Sequence, residues 1–78
     1  MATIAERVKK IVAKQLGLPE NEVNPSDSFR LDLLADDTDC RELIRAFEDE
    51  FGMDIPPDDL EKVDTIQHVI NYATAHGK

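Results

Sequence analysis

Cysteine, glycine and aromatic residues are scarce in this sequence, and their scarcity excludes several classes of protein. It contains no tryptophan, three glycines, three phenylalanines, one tyrosine and a single cysteine, Cys40, which excludes an internal disulfide. No apolar run approaches the roughly 20 residues of a membrane span. The first residues also lack the basic start and apolar stretch of a signal peptide. These absences predict a protein of the cytoplasm, a reducing compartment.

Positive charge is also scarce. Nine basic residues face 17 acidic ones, which leaves a net charge of -8. Residues 20–61 hold 15 of the acids against three arginines, a net of -12, whereas residues 1–19 are net basic. An acidic surface disfavours nucleic acid and anionic membranes. It favours a protein partner with a basic surface, although solubility alone is an alternative role for the acids.

The 78 residues are enough for one small domain, and its first helix is well marked. Thr3 and Glu6 predict a capping box at the start, and Gly17 followed by Pro19 predicts the end. The apolar residues between these signals recur at helical spacing and form one stripe. They are Ile4, Val8, Ile11, Val12 and Leu16.

Residues 18–35 contain no helical or strand period and predict a long loop. A loop of this length is unusual in a small domain. We therefore expect its apolar side chains to hold it against the bundle. These side chains belong to Leu18, Val23, Phe29, Leu31, Leu33 and Leu34.

The second half of the chain predicts three more helices. A helix capped by Asp36 or Asp37 ends at Gly52, a short one starts at Pro57, and the last follows Thr65. Their expected buried residues are Cys40, Leu43, Ile44, Phe47 and Phe51 in the second helix and Ile66, Val69, Ile70 and Ala73 in the last. The sequence therefore predicts an all-α protein, a small four-helix bundle with three longer helices and one short. We expect one domain over residues 1–78 and a monomer.

Residues 32–43, with the sequence DLLADDTDCREL, resemble the prosthetic-group motif of acyl carrier proteins. That motif is written D-L-G-A-D-S-L-D-x-x-E-L, and its serine carries phosphopantetheine. The likeness extends along the chain through Ile4–Val12, Glu48–Pro56 and Thr65–Tyr72. It implies a four-helix bundle of the acyl carrier type, whose second helix docks on partner enzymes. It also implies a carrier rather than an enzyme, with no catalytic residues.

The departures from that motif cluster at the second helix. Asp37 has the place of the carrier serine, so we expect no phosphopantetheine at the usual site. Thr38, Arg41 and Arg45 have places where the family usually shows apolar residues. The charged residues Asp37, Arg41, Arg45 and Asp49 follow each other at a spacing of four and form one stripe on the helix, along which Asp37 can pair with Arg41 and Arg45 with Asp49.

Leu34 is a further departure, because it replaces the glycine of the family motif. Its side chain either fills space at the start of the second helix or blocks the path of a pantetheine arm.

The first functional hypothesis is therefore a carrier-like binding module that docks through its second helix on a partner of basic or mixed charge. The residues predicted to contact the partner are Asp36, Asp37, Thr38, Arg41, Glu42, Arg45, Glu48 and Asp49. Drift on a solvated helix face is the alternative explanation of the charged stripe.

A second hypothesis is a working carrier in fatty-acid, lipid or secondary-metabolite synthesis, with its group on Thr38, on Cys40 or held noncovalently between helices. A third is an engineered serine-to-aspartate variant, which the several other departures disfavour.

Other chemistries find little support in the sequence. Residues 36–39 are acidic but lack the longer ligand set and the glycine of a calcium loop. Acidic neighbours are expected to raise the pKa of the Cys40 thiol, which opposes reactivity. His68 and His76 are expected to be isolated, because nothing pairs them with Cys40 or a carboxylate at metal-ligand spacing. We therefore predict no metal site and no bound cofactor.

Overall fold

A computed structural model describes residues 2–77, which form an all-α arrangement with one short helix and three longer ones. The helices are α1 (Ile4–Leu16), α2 (Asp37–Phe51), α3 (Pro57–Leu60) and α4 (Ile66–His76). A 3-10 turn over Glu20–Glu22 lies in the long loop between α1 and α2. The all-α prediction is confirmed. Over residues 2–77 no helix has both the length and the apolar character needed to cross a membrane.

The helix ends follow the predicted caps, with one correction at α1. The Thr3 hydroxyl accepts a hydrogen bond from the Glu6 N–H at 3.1 Å, and Gly17 closes the helix with a φ of 68°. The Glu6 carboxylate, however, accepts a hydrogen bond from the Thr3 hydroxyl at 3.4 Å. It does not accept one from the Thr3 backbone N–H, so the predicted capping box is not completed. A reciprocal capping box forms instead at α2. There the Asp36 carboxylate accepts from the Asp39 N–H at 2.8 Å, and the Asp39 carboxylate accepts from the Asp36 N–H at 3.3 Å.

The core lies where the predicted apolar faces of α1, α2 and α4 meet. Its fully buried side chains include Val8, Val12, Leu43, Phe47, Phe51, Ile66 and Val69. The ring of Phe29, from the long loop, packs against Phe47 with 6.2 Å between centroids. At the end of α2, the Arg7 guanidinium from α1 pairs with Glu50 at 2.7 Å and lies 4.5 Å from the centre of the Phe51 ring.

The long loop is held to the bundle by fewer side chains than its sequence suggests. Val23 and Phe29 are buried, as expected, but Leu31 is 82% exposed and Leu34 is 79% exposed. The prediction that these two leucines anchor the loop is therefore wrong. The reason is local: the Ala35 N–H donates to the Phe29 carbonyl at 2.7 Å, and the turn closed by this bond directs both leucines outward.

Backbone hydrogen bonds hold the loop against the start of α4. The Phe29 N–H donates to the Asp64 carbonyl at 3.1 Å, and the Ile66 N–H donates to the Asp27 carbonyl at the same distance. Ser28 and Thr65 form an isolated antiparallel bridge between these bonds. These bonds place residues 27–29 of the loop beside the segment that precedes α4.

Candidate functional site

Asp37 is the first residue of α2, and its carboxylate is held by a residue that the sequence did not suggest. The Arg30 guanidinium, from the long loop, lies 2.6 Å from the Asp37 carboxylate. The predicted pair between Asp37 and Arg41 is therefore wrong. The side-chain hydrogen bond with Asp37 is the main cause that raises the pKa of Arg30 above its ordinary value. Both side chains are mostly exposed, so the pair contributes little to stability.

Arg41 and Arg45 lie further along α2, and both are exposed to solvent. Within residues 2–77, neither guanidinium forms an ion pair, so the predicted pair between Arg45 and Asp49 is also wrong. An exposed pair at this spacing gains only about 0.3–0.5 kcal/mol. That gain is too small to fix two long side chains in one geometry. Both guanidinium groups are left available to a partner.

An open cleft of about 580 Å³ lies between residues 28–31 of the loop, the first half of α2 and residues 60–64. Its volume is within the range of about 300–1,000 Å³ that is usual for ligand sites. The walls are mainly apolar, and the large apolar side chains that line them are Phe29, Leu31, Leu43, Ile44, Phe47, Leu60 and Val63. The cleft is thus suited to an apolar group that reaches it from solvent.

Charged side chains surround this apolar space. Arg30 and Asp37 line it as a pair, and Arg41, Glu61 and Asp64 line it as well. Asp64 is paired in turn, because its carboxylate lies 2.6 Å from the Nδ1 atom of His68. The prediction that His68 is isolated is therefore wrong. Asp64 and His68 are four residues apart across the start of α4, so their side chains lie on the same side of that helix.

Cys40 also lines the cleft and is half-buried. Burial is the main cause that raises the pKa of its thiol, and the nearby carboxylates of Asp37, Asp39 and Asp36 raise it further. Arg30 acts in the opposite direction. At neutral pH the group is therefore a protonated thiol, a poor nucleophile.

The other residues predicted to contact a partner have different surroundings. Thr38, Glu42 and Asp49 are exposed on α2. Asp36 is exposed too, although its carboxylate caps the helix. Glu48 is half-buried, and its carboxylate accepts a hydrogen bond from the Ile55 N–H at 2.8 Å. Glu48 therefore has a structural contact of its own.

Sequence reasoning missed Arg30 and the wall that Leu31 adds to the cleft. Arg30 is seven residues before its partner and lies in a loop, where no periodic spacing indicates a contact. Of the two roles expected for Leu34, filling space at the start of α2 is wrong, because its side chain is exposed to solvent; blocking the path of a pantetheine arm stays a prediction. Its backbone has a φ of 57°, in the left-handed region that favours glycine.

The acidic start of α2 is used for helix capping. The carboxylates of Asp36 and Asp39 each accept a hydrogen bond from the other residue's backbone N–H, and Asp37 is paired with Arg30. Across residues 2–77, no cluster of three or more His, Cys, Asp or Glu side chains could hold a metal ion.

One family model covers most of the chain. The family model described as phosphopantetheine attachment site matches residues 6–73. The match includes the long loop, α2 and the cleft, and it confirms the resemblance to acyl carrier proteins. The chain therefore belongs to the phosphopantetheine attachment site family, whose members are carrier domains and not catalysts.

Proposed function

We propose that this carrier domain receives no phosphopantetheine at the usual position and acts by docking on a partner protein through α2. The observation that carries the proposal is Asp37. A carboxylate paired with Arg30 at 2.6 Å stands at the first position of α2, and the resemblance to the family motif aligns this position with the serine.

The chemistry of attachment supports this proposal. In the family, a transferase makes the serine oxygen attack the pyrophosphate of coenzyme A, which forms a phosphodiester and releases adenosine 3′,5′-bisphosphate. A carboxylate at Asp37 would give an acyl phosphate, which water cleaves. The hydroxyl of Thr38 is one residue further along and projects about 100° around the helix. The Cys40 thiol has a raised pKa and lies in the cleft wall.

The surface of α2 supports docking. Arg41, Glu42, Arg45 and Asp49 are all exposed, and neither arginine has an ion-pair partner in residues 2–77. A mixed-charge helix face selects among partners, because a wrong partner places like charges together. Loss of apolar contacts at Thr38, Arg41 and Arg45 also disfavours enzymes that dock on an ordinary carrier helix.

Intact mass spectrometry tests the missing attachment. The native chain, Asp37→Ser, Asp37→Ala and Asp37→Ser with Thr38→Ala are each incubated with coenzyme A and a broad-specificity phosphopantetheinyl transferase. We expect no mass increase for the native chain or Asp37→Ala. We expect one phosphopantetheine unit on both variants that carry the new serine. An adduct on the native chain would contradict the proposal, and fragmentation would assign it to Thr38, Cys40 or another residue.

A partner contact by Asp37 itself is tested once a partner is in hand. Asp37→Ala is expected to weaken the complex, because it removes the charge that stands near the position of a carrier's phosphate. Unchanged affinity would mean that Asp37 serves only to hold Arg30.

The cleft favours a second candidate function, a carrier that holds an acyl group noncovalently. Its open, mainly apolar space of about 580 Å³ is large enough for a single alkyl chain. Titration with dodecanoate, followed by the amide signals of Phe29, Ile44 and Val63, tests this candidate. Saturable shifts that disappear in Ile44→Arg, where a charged side chain enters the cleft, would support it. Absence of shifts in the native chain would exclude this ligand.

A further inference from the structure

The ion pair between Arg30 and Asp37 joins two walls of the cleft. Arg30 belongs to the wall formed by the loop, Asp37 is the first residue of α2, and both side chains line the cleft. Their charged groups are 2.6 Å apart, and the side chains are 61% and 77% exposed. The pair therefore lies on the solvent side of the cleft, at its mouth, whereas walls such as Phe29 and Phe47 are buried.

This pair is a separate link between the turn over residues 30–34 and α2. Within residues 2–77 no other ion pair or side-chain hydrogen bond joins the two. The turn is held locally instead, for example by the Asp32 carboxylate, which accepts from the Ser28 N–H at 2.7 Å. The Arg30 side chain can therefore leave the mouth while the backbone beside it keeps its own bonds.

Cys40 lies deeper on the same wall of the cleft. It follows Asp37 by three residues, so the two side chains lie on the same side of α2. Cys40 lines the cleft and is half-buried. Burial is the largest cause that raises the pKa of its thiol, and the charge of Arg30 lowers that pKa, which is consistent with a guanidinium close to the sulfur. The thiol therefore reports on the width of the mouth.

We propose that the Arg30–Asp37 pair is an ionic clasp that narrows the mouth of the cleft and opens when ions compete for either side chain. A serine at position 37 could not form an ion pair, so the clasp depends on the residue that departs from the family motif. The inference rests on the second candidate function, because it names what controls the entry of an apolar group to that cleft.

The test compares the reaction of Cys40 with two uncharged reagents, N-ethylmaleimide and a bulky polyethylene glycol maleimide. Both react with the thiolate, so the ratio of their rates at one pH cancels any change in the thiol pKa and measures access. Asp37→Asn keeps the size of the side chain but removes its charge, and Arg30→Gln removes the guanidinium. Each variant should raise the ratio of the bulky to the small reagent about 1.5- to 5-fold, as expected for loss of an exposed pair.

The double variant and two charge controls identify the pair as the cause. Asp37→Asn with Arg30→Gln should give the same ratio as either single variant, because a clasp is broken only once. Lys14→Gln and Asp54→Asn remove charges at exposed positions outside the cleft and should match the native chain. Circular dichroism melting confirms that each variant is folded. A ratio that neither clasp variant raises, or that the controls raise equally, would overturn the inference.

Salt tests the ionic nature of the clasp on the native chain. Raising sodium chloride from about 0.05 M to about 0.5 M screens an exposed pair, so the native ratio should rise toward that of Asp37→Asn. The ratio of Asp37→Asn itself should not change. A native ratio that is insensitive to salt would overturn the clasp.

These reactions need no ligand in the cleft, so their outcome is separate from that of the dodecanoate titration. Absence of dodecanoate shifts defeats the second candidate function, whatever the thiol ratio. An unchanged thiol ratio beside saturable dodecanoate shifts defeats only this inference.

Discussion

At the scale of single residues, Leu34 has a backbone conformation that suits a different amino acid. Its φ of 57° is in the left-handed region, and its side chain is exposed. We expect Leu34→Gly to raise the free energy of unfolding by about 0.5–1 kcal/mol. Relief of the left-handed strain outweighs the extra freedom of glycine in the unfolded chain. Urea unfolding measures the change.

Leu31→Gly is the matched control for this prediction. Leu31 is equally exposed but has no positive φ, so glycine there adds freedom to the unfolded chain without relieving strain. We expect a loss of up to about 1 kcal/mol. A Leu34→Gly variant no more stable than the native chain would mean that the left-handed conformation carries no cost.

Cys40 gives a second prediction at this scale. Burial first, and the acidic neighbours second, raise the pKa of its thiol above the ordinary 9.0. Because only the thiolate reacts with iodoacetamide, the alkylation rate should reach half its plateau at a higher pH than that of a free cysteine. Arg30→Gln removes a nearby cation that lowers this pKa, so it should move the profile to still higher pH.

Arg41→Gln serves as the control, because it removes a cation of α2 that has no part in the Cys40 shift. Its profile should match that of the native chain. A profile at lower pH than free cysteine would instead identify Cys40 as an activated thiol and revive it as an attachment site.

At the scale of secondary structure, the start of α2 depends on a few side chains. Asp36 caps the helix and exchanges hydrogen bonds with Asp39. We expect Asp36→Ala to cost about 1 kcal/mol of stability, measured by urea unfolding. Asp49→Ala removes the same charge from an exposed position of the same helix, where it makes no cap, and should change stability by less than half as much. Equal effects would mean that charge, and not capping, is responsible.

The helices were predictable because each has a local signature. Thr3, Asp36 and Thr65 are polar caps directly before apolar periodic segments, and Gly17 and Gly52 end their helices in the left-handed conformation. The long loop was not predictable to the same degree. Its apolar residues have no period, so nothing in the sequence separated the buried Phe29 from the exposed Leu31 and Leu34.

At the scale of the whole molecule, the position of Asp37 was predictable, but its partner and the cleft were not. A motif places one residue at one position along a helix. The pair with Arg30 and the cleft walls depend on where residues 28–31 pack relative to the start of α4. Their position is fixed by backbone hydrogen bonds such as the one from the Phe29 N–H to the Asp64 carbonyl. Because such bonds do not depend on the side chains, the sequence does not predict them.

The excess of acid is a property of the whole molecule, and it leads to a prediction about salt. The chain carries 17 acids against nine bases, and the three ion pairs that Arg and Lys form within residues 2–77 are all at least partly exposed. Repulsion among the acids destabilises the compact state, whereas exposed pairs contribute little. Sodium chloride screens both, so raising it from about 0.05 M to about 0.5 M should increase stability.

We expect a gain of about 1 kcal/mol, which for a domain of this size corresponds to a rise in Tm of about 4–8 °C. Asp54→Asn with Glu61→Gln, which removes two exposed acids, should raise Tm at low salt and flatten the salt dependence. Lys10→Gln with Lys14→Gln makes the chain more acidic and should steepen it. A Tm that falls as salt is added would show that ion pairs such as Arg7–Glu50, and not the acidic excess, dominate the electrostatics of the fold.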